Sequence, residues 1–406
     1  MNGMKKKKLS FRKYFRGFFY SISALLIIYL FQDYRGPEYI YLRPDTVFGL
    51  SCLRAKDLIV QDYDQMDNLW ATRGLVIYQL KKGDSRFKKF AHVPTSLSVY
   101  WLRNFSFVRR CTLRPECTEI VPSTSGEICA LSAGKMWYRP HGDKRFYKTL
   151  KLSHYGKGDQ GVRNDGIVRT NDSTVFFGEY FRNKGRTRVR IFVSNNFGKT
   201  WKTAYEFPPN KIRHIHALQK DPFSDKMWIC TGDLDHEDFV GWSTDDYKTL
   251  HPLGQGNQMW RVCQLVFTKE AVYWGADTGV EELSGIYRWD RENNEIKKLT
   301  KVDGAIFFAT SLAKGTTIMS TDREHMNNEE DDRTRLFIIT KDDKVRKINC
   351  GTWNHHKPGF WFKFALLRFQ RSQGGPSLVI SCLNQKELPD GDLIIVSEEE
   401  LLLKER

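Results

Sequence analysis

The chain has 406 residues, of which 40% are apolar, 14% aromatic and 28% charged, with only 13 prolines. That composition excludes a disordered or collagen-like protein and leaves an ordered globular one with material for a large core. The net charge of +16 favours an acidic partner, but lysines and arginines are scattered among acids and form no stripe, which argues against nucleic acid as that partner.

The basic excess begins at the N-terminus. Lys5, Lys6, Lys7, Lys8, Arg12, Lys13 and Arg16 stand with no acid among them, and subtracting these seven leaves +9 for the remainder. The apolar run of fourteen residues at 18–31 (FFYSISALLIIYLF) comes next. It is short against the ~20 residues of a spanning helix and matches a signal-peptide core in length. No small-x-small cleavage site follows, since Gln32, Asp33, Tyr34 and Arg35 come next. The expectation is an uncleaved anchor with its basic end cytoplasmic. This gives a tail over 1–16, a single-pass membrane segment over 17–32, a linker over 33–45 and an extracytoplasmic domain over 46–406.

Eight cysteines are compatible with that compartment: Cys52, Cys111, Cys117, Cys129, Cys230, Cys263, Cys350 and Cys382. Cys111 and Cys117 share a polar loop and read as a disulfide pair. Several others fall in apolar strand runs, where a free thiol behaves as a small hydrophobe. No CxxC pair supports a zinc ribbon or a thioredoxin-like site. Sequons stand at Asn104 and Asn171.

Beyond residue 50 the strand signals recur. Apolar openings begin near Cys117, Asp165, Arg213, Trp260, Ala305 and Trp361, at separations of 48, 48, 47, 45 and 56 residues. A second strand follows each (EICALSA, TVFFGEY, KMWICTGD, AVYWGAD, TTIMSTD, SLVISCL), usually with a third and fourth, and residues 57–96 form an earlier copy. Four short strands in a repeat of roughly 40 to 50 residues are the pattern of a propeller blade. One blade cannot bury both faces, so blades stack radially and the ring closes. The fold class is all-β, a β-propeller of four-stranded blades; seven are favoured, and six remain compatible if 57–96 is irregular. The last unit shows three clear strands (361–369, 376–383 and 392–397), and residues 46–53 are a candidate for its outer strand.

One octapeptide adds a register. Ser194-Asn195-Asn196-Phe197-Gly198-Lys199-Thr200-Trp201 follows the Asp-box pattern S-x-D-x-G-x-T-W, with Asn196 in the Asp position. Degenerate counterparts occur at Tyr138-Arg139-Pro140-His141-Gly142-Asp143 and at Trp242-Ser243-Thr244-Asp245-Asp246. In this the chain resembles the sialidase-like (Asp-box, or BNR repeat) β-propellers, where the hairpin joins the outer two strands of a blade. The resemblance implies a carbohydrate context. It stops short of an authentic sialidase: no Arg-Ile-Pro-like motif is present, and Tyr138-Arg139-Pro140 falls at a strand-3 hairpin.

Blade topology then sorts residues by face. The loop entering strand 1 and the loop leaving strand 2 share one end of the channel, and the Asp-box hairpin lies at the other. At the first end stand Arg163, Asn164, Asp165 and Glu179; then Arg213, His214, His216, Asp233 and Asp235; then Gln258, Trp260, Arg261 and Asp277; then Asp322 and Glu324. Asp165, Glu179, His214, His216, Asp233 and Asp277 are the candidate catalytic groups, and Arg163, Arg213, Trp260 and Arg261 the candidate substrate contacts. Each has a plainer reading: Asp233 and Asp277 as turn residues, Trp260 as core, Arg213 and Arg261 as salt-bridge partners of Asp233 and Asp277. His214 and His216 fall on one side of a strand, an arrangement suited to a divalent metal, proton transfer or sugar stacking; no other cofactor is expected.

The functional expectation is a propeller acting on an acidic or cell-surface polysaccharide, hydrolase-like with paired carboxylates or lyase-like with His, Arg and a metal. The alternative is a non-catalytic glycan-binding or assembly protein.

Overall fold

Seven antiparallel sheets stand around one channel in the computed structural model, which describes residues 18, 20–24, 26, 36–94, 118–155, 159, 161–355 and 364–403. The strands nearest the channel are Ile59–Tyr63, Thr118–Pro122, Ile167–Arg169, Ile215–Lys220, Val262–Phe267, Ile306–Ser311 and Leu366–Phe369, opening blades 1 to 7 in turn. Ile59–Tyr63, Leu69–Arg73, Val76–Leu80 and Arg86–His92 form a regular blade, so seven is the number.

Burial explains why these segments pair in this order. In blade 5 every residue of Val262–Phe267 and Ala271–Ala276 is buried, whereas the outer strand Ile296–Lys301 is mostly exposed. Continuous apolar runs therefore become inner strands covered on both faces, and Lys-rich runs take the rim. Between blades the apolar faces interlock; Trp228, Trp260, Trp274, Tyr287 and Trp289 fill the space between blades 4 and 5.

The ring closes with strands from both ends of the chain. Blade 7 supplies Leu366–Phe369, Ser377–Leu383 and Asp392–Ser397; its fourth strand is Leu50–Ala55, with Leu53 opposite Ile395, and Arg43–Val47 adds a fifth. Arg54 fastens this seam through Asp392 and Asp45, at 2.8 Å from each. The closing strand overlaps the expected 46–53 and lies slightly later. The linker expected over 33–45 is partly sheet, because Tyr39–Tyr41 pairs with Arg86–His92 at the edge of blade 1 and Arg43–Val47 joins blade 7.

The single-pass membrane anchor is overturned. No helix among the described residues is long and apolar enough to cross a membrane. Residues 18, 20–24 and 26 are helical, but an apolar run of fourteen residues falls short of the ~20 a span requires. The rest of 17–32 lies outside the described residues, as do Cys111, Cys117 and Asn104. The six described cysteines are buried and free of disulfides.

The Asp-box hairpin has the geometry its residues dictate. Asn196 Oδ1 accepts the Thr200 amide at 2.9 Å, and Ser194 Oγ accepts the Gly198 amide at 2.7 Å. Blade 4 repeats this: Asp245 accepts the Thr249 amide at 2.9 Å, and Ser243 Oγ the Tyr247 amide at 2.9 Å. Gly198 has φ of 86°, and a Cβ there would meet Cys129 Sγ of blade 2 at 2.8 Å. Trp201 Nε1 donates to Thr149 of the same neighbour at 3.2 Å. The hairpin is a fastener between blades at the end of the channel opposite the loops at 163–165 and 213–216.

Gly198→Ala should lower the unfolding free energy by about 1 to 3 kcal/mol in urea titrations. Gly256→Ala, with φ of 93° and open space around the Cβ, should cost less; equal losses would contradict the contact argument. The hydrogen bonds from the Thr249 amide and Ser243 hold Asp245 at about 2, below its ordinary 3.8. A lowered carboxylate stabilises above its ordinary value, and that contribution is lost as pH falls through the folded one. The melting-temperature gap between wild type and Asp245→Asn should therefore narrow from about pH 4 toward about pH 2, and a constant gap would refute it.

Candidate functional site

Two backbone rules place the site. In blades 5 and 6 the residue after strand 2 donates its amide to the carbonyl preceding strand 1: Asp277 to Arg261 at 2.8 Å, Asp322 to Ala305 at 3.0 Å. Asp277 and Asp322 thus hold equivalent positions in consecutive blades. In blade 4 the loop runs on to Asp233, whose amide donates to Asp238 Oδ1 at 3.0 Å, and Gln258 donates to the other Asp238 oxygen at 2.7 Å.

His214 and His216 converge beneath Asp233. Their Nε2 atoms are 3.0 Å apart, and Asp233 Oδ1 lies 3.5 Å from the first and 3.4 Å from the second. Each Nδ1 faces a backbone carbonyl, His214 that of Phe181 at 2.9 Å and His216 that of Val262 at 3.1 Å. A carbonyl only accepts, so both rings carry hydrogen on Nδ1 and turn lone pairs on Nε2 toward each other and toward Asp233. Three acceptors at one point need a cation, either a shared proton or a metal ion. Burial lowers His216 to about 3, which disfavours the proton. The donor set of two imidazoles and a carboxylate fits a divalent metal.

The rim above is cationic. Arg213 pairs with Asp233 Oδ2 through Nη1, and Arg261 Nε lies 3.5 Å from Asp233 Oδ1 and 3.3 Å from Asp277 Oδ2. Arg163 lies over the Phe307 ring at 4.8 Å and donates to Cys263 Sγ at 2.8 Å. Exposure falls inward: side chains of Arg213, Arg261 and Asp233 are 29%, 22% and 13% exposed, and His214 and His216 4% and 1%. Behind the rim, Asp277 Oδ1, both Asp322 oxygens and Glu324 Oε1 are buried and make no hydrogen bond. Burial, with the Asp277 charge beside it, raises Glu324 to about 8.

The expected residues divide. Arg163, Arg213, His214, His216, Asp233, Arg261 and Asp277 meet at this mouth. Glu179 does not: its carboxylate accepts the Arg190 amide of its own blade at 2.9 Å. Asp165 is 3% exposed in the channel, lining a cavity of about 360 Å³ that extends toward the Asp-box end, and burial raises it to about 7. Trp260 is 5% exposed and stacks on fully buried Trp274 at 5.2 Å, so neither offers a face to a sugar. Cys263 and Asp238 escaped the sequence reading. Cys263 looked like one more apolar strand residue, and its spacing of two from Arg261 was the available signal.

No family model matches the chain, and no curated protein matches its sequence. Solved structures do match. An oligogalacturonate lyase from Vibrio parahaemolyticus is 11% identical with a TM-score of 0.55, over 88% of this chain and 97% of that one. An oligogalacturonate lyase in complex with manganese is 11% identical with a TM-score of 0.54, over 89% and 98%. YCF48 from Cyanidioschyzon merolae is 11% identical with a TM-score of 0.51, over 89% and 99%. The likeness is one of fold. It joins this chain to the β-propellers and assigns no site.

Chelator-treated protein should melt at a higher temperature when a divalent ion is restored, by an increment equivalent to about 2.7 kcal/mol at a hundredfold excess over Kd. His216→Ala should abolish the increment. A wild type unmoved by every ion tested would assign the convergence to a shared proton.

Proposed function

We propose that the protein binds an acidic oligosaccharide at the mouth of blades 3 to 6 and cleaves it by a lyase-like elimination. The observation that carries this is the placement of three arginines from successive blades, Arg163, Arg213 and Arg261, around a floor of two imidazoles. Guanidinium forks recognise carboxylates bidentately, and a sugar acid bound there would bring its carboxylate against that floor. Two of the propellers of like fold are oligogalacturonate lyases, which puts uronate-rich oligosaccharides first among the substrates to test. The hairpins at 194–201 and 243–249 support grouping the chain with Asp-box propellers, as an architecture rather than as a sialidase.

In the elimination, the proton α to the uronate carboxylate is removed and the glycosidic oxygen across the adjoining bond departs, leaving a carbon–carbon double bond. Arg213 and Arg261 hold the carboxylate and favour the negative charge that develops on it. Glu324, with Oε1 buried and unpartnered, takes the α proton as the carboxylate and returns it to the leaving oxygen. A divalent ion on His214, His216 and Asp233 would supply Lewis-acid neutralisation of the same carboxylate. Hydrolysis is supported less well, because Asp233 and Asp277 are engaged by Arg213 and Arg261. That engagement also favours a second reading, glycan recognition without chemistry.

Incubation with oligogalacturonides and other uronate oligosaccharides should yield products absorbing in the near ultraviolet from the new double bond. Arg261→Ala should lower kcat/KM on the order of a hundredfold, and Glu324→Gln should lower kcat with little change in KM. Binding by wild type without product would overturn the lyase reading in favour of recognition, and absence of binding would overturn both.

A further inference from the structure

His216 belongs to two groups of potential ligands. One is His214, His216 and Asp233; the other is His216, Cys263 and Asp277, and within each group the donor atoms lie within 4.8 Å of one another. Ligands bound to one ion at about 2.0 to 2.3 Å stand close enough together for either group to serve. Cys263 is fully buried, on the innermost strand of blade 5. Its Sγ accepts from Arg163 Nη1 at 2.8 Å and donates to Asp277 Oδ2 at 3.1 Å. Asp277, itself 2% exposed, leaves its other oxygen Oδ1 without a hydrogen bond. A buried thiol cradled between a guanidinium and a half-satisfied carboxylate, beside the His216 imidazole, is more than a small hydrophobe filling space.

We propose that Cys263 supplies a sulfur ligand to a cation at His216, so that this site selects zinc or a comparable borderline-soft ion over manganese, magnesium and calcium. Soft thiolate favours zinc and cobalt, whereas hard ions favour sites built from oxygen. On binding, the Cys263 thiol proton is released to solvent and its sulfur lone pair is shared with the ion. Arg163, already hydrogen-bonded to Sγ, stays within reach to offset the negative charge, as outer partners of a ligand do. The inference rests on the metal-binding reading of the floor and adds the identity of the ion.

The test uses the full chain, stripped of metal under reducing conditions and titrated with Co²⁺, Zn²⁺ and Mn²⁺, with Cys263→Ser and His214→Ala alongside wild type. Expected are a thiolate-to-cobalt charge-transfer band in wild type and its loss in Cys263→Ser. Calorimetry should show zinc binding at least tenfold tighter than manganese in wild type, with the preference much reduced in Cys263→Ser. Cobalt visible-region bands without the thiolate band, weakened by His214→Ala, would overturn the role of Cys263 and leave the histidine site standing. No binding of any ion by a folded wild type would overturn both.

Discussion

The ring has to close before anything else in this molecule can work. Each blade carries inner strands whose two faces are apolar, and each face is covered only by a neighbouring blade. A ring that opened at one seam would expose two such faces at once, at about 25 cal/mol for each Å² of apolar surface, against a net stability of only about 5 to 15 kcal/mol. The chain meets this constraint with Leu50–Ala55, which precedes the first blade in sequence and completes the last. Arg54 holds that seam by reaching Asp392 on one side and Asp45 on the other. A closure built from both ends of the sequence makes every interblade contact depend on every other.

Closure also holds the charged groups of the mouth together. Buried charge is costly unless it is paired and hydrogen-bonded. Here Arg163 of blade 3 reaches Cys263 of blade 5, and Arg261 of blade 5 lies between Asp233 of blade 4 and Asp277 of its own blade, contacts that last only while those blades hold their positions. Backbone bonds fix Asp277 and Asp322 at the ends of their strands, and both residues are buried behind the rim. The result is a floor of imidazole nitrogens beneath a rim of guanidinium groups. Residual unsatisfied oxygens at Asp277, Asp322 and Glu324 mark the place where folding has given up stability, as functional sites commonly do.

Much of the architecture was legible in the chain because it rests on local signals. Short apolar strand runs, turn residues between them and a repeat near 48 residues each follow from what one blade needs. The Asp-box hairpin told which loops share an end, and on that basis Arg213, His214, His216, Asp233, Arg261 and Asp277 were grouped before any contact was known. Glu179 and Trp260 failed for a reason that sequence position does not carry. Topology assigns a residue to an end of the channel, but side-chain direction is decided by the nearest partner. For Glu179 that partner was the Arg190 amide, and for Trp260 it was Trp274. The membrane segment failed on length, where charge asymmetry had outweighed the shortfall.

Taken alone, the amino-acid sequence determined the strand set, the blade repeat and the end of the channel on which the charged residues gather. Those properties depend on residues close together in the chain. The tertiary structure alone decided that His214 and His216 turn their Nε2 atoms inward, because the carbonyls of Phe181 and Val262 that orient them come from other blades. It decided too that Cys263 is a neighbour of Arg163, a hundred residues away in sequence. Convergence of lone pairs is a property of three-dimensional distance, and no spacing along a chain encodes it.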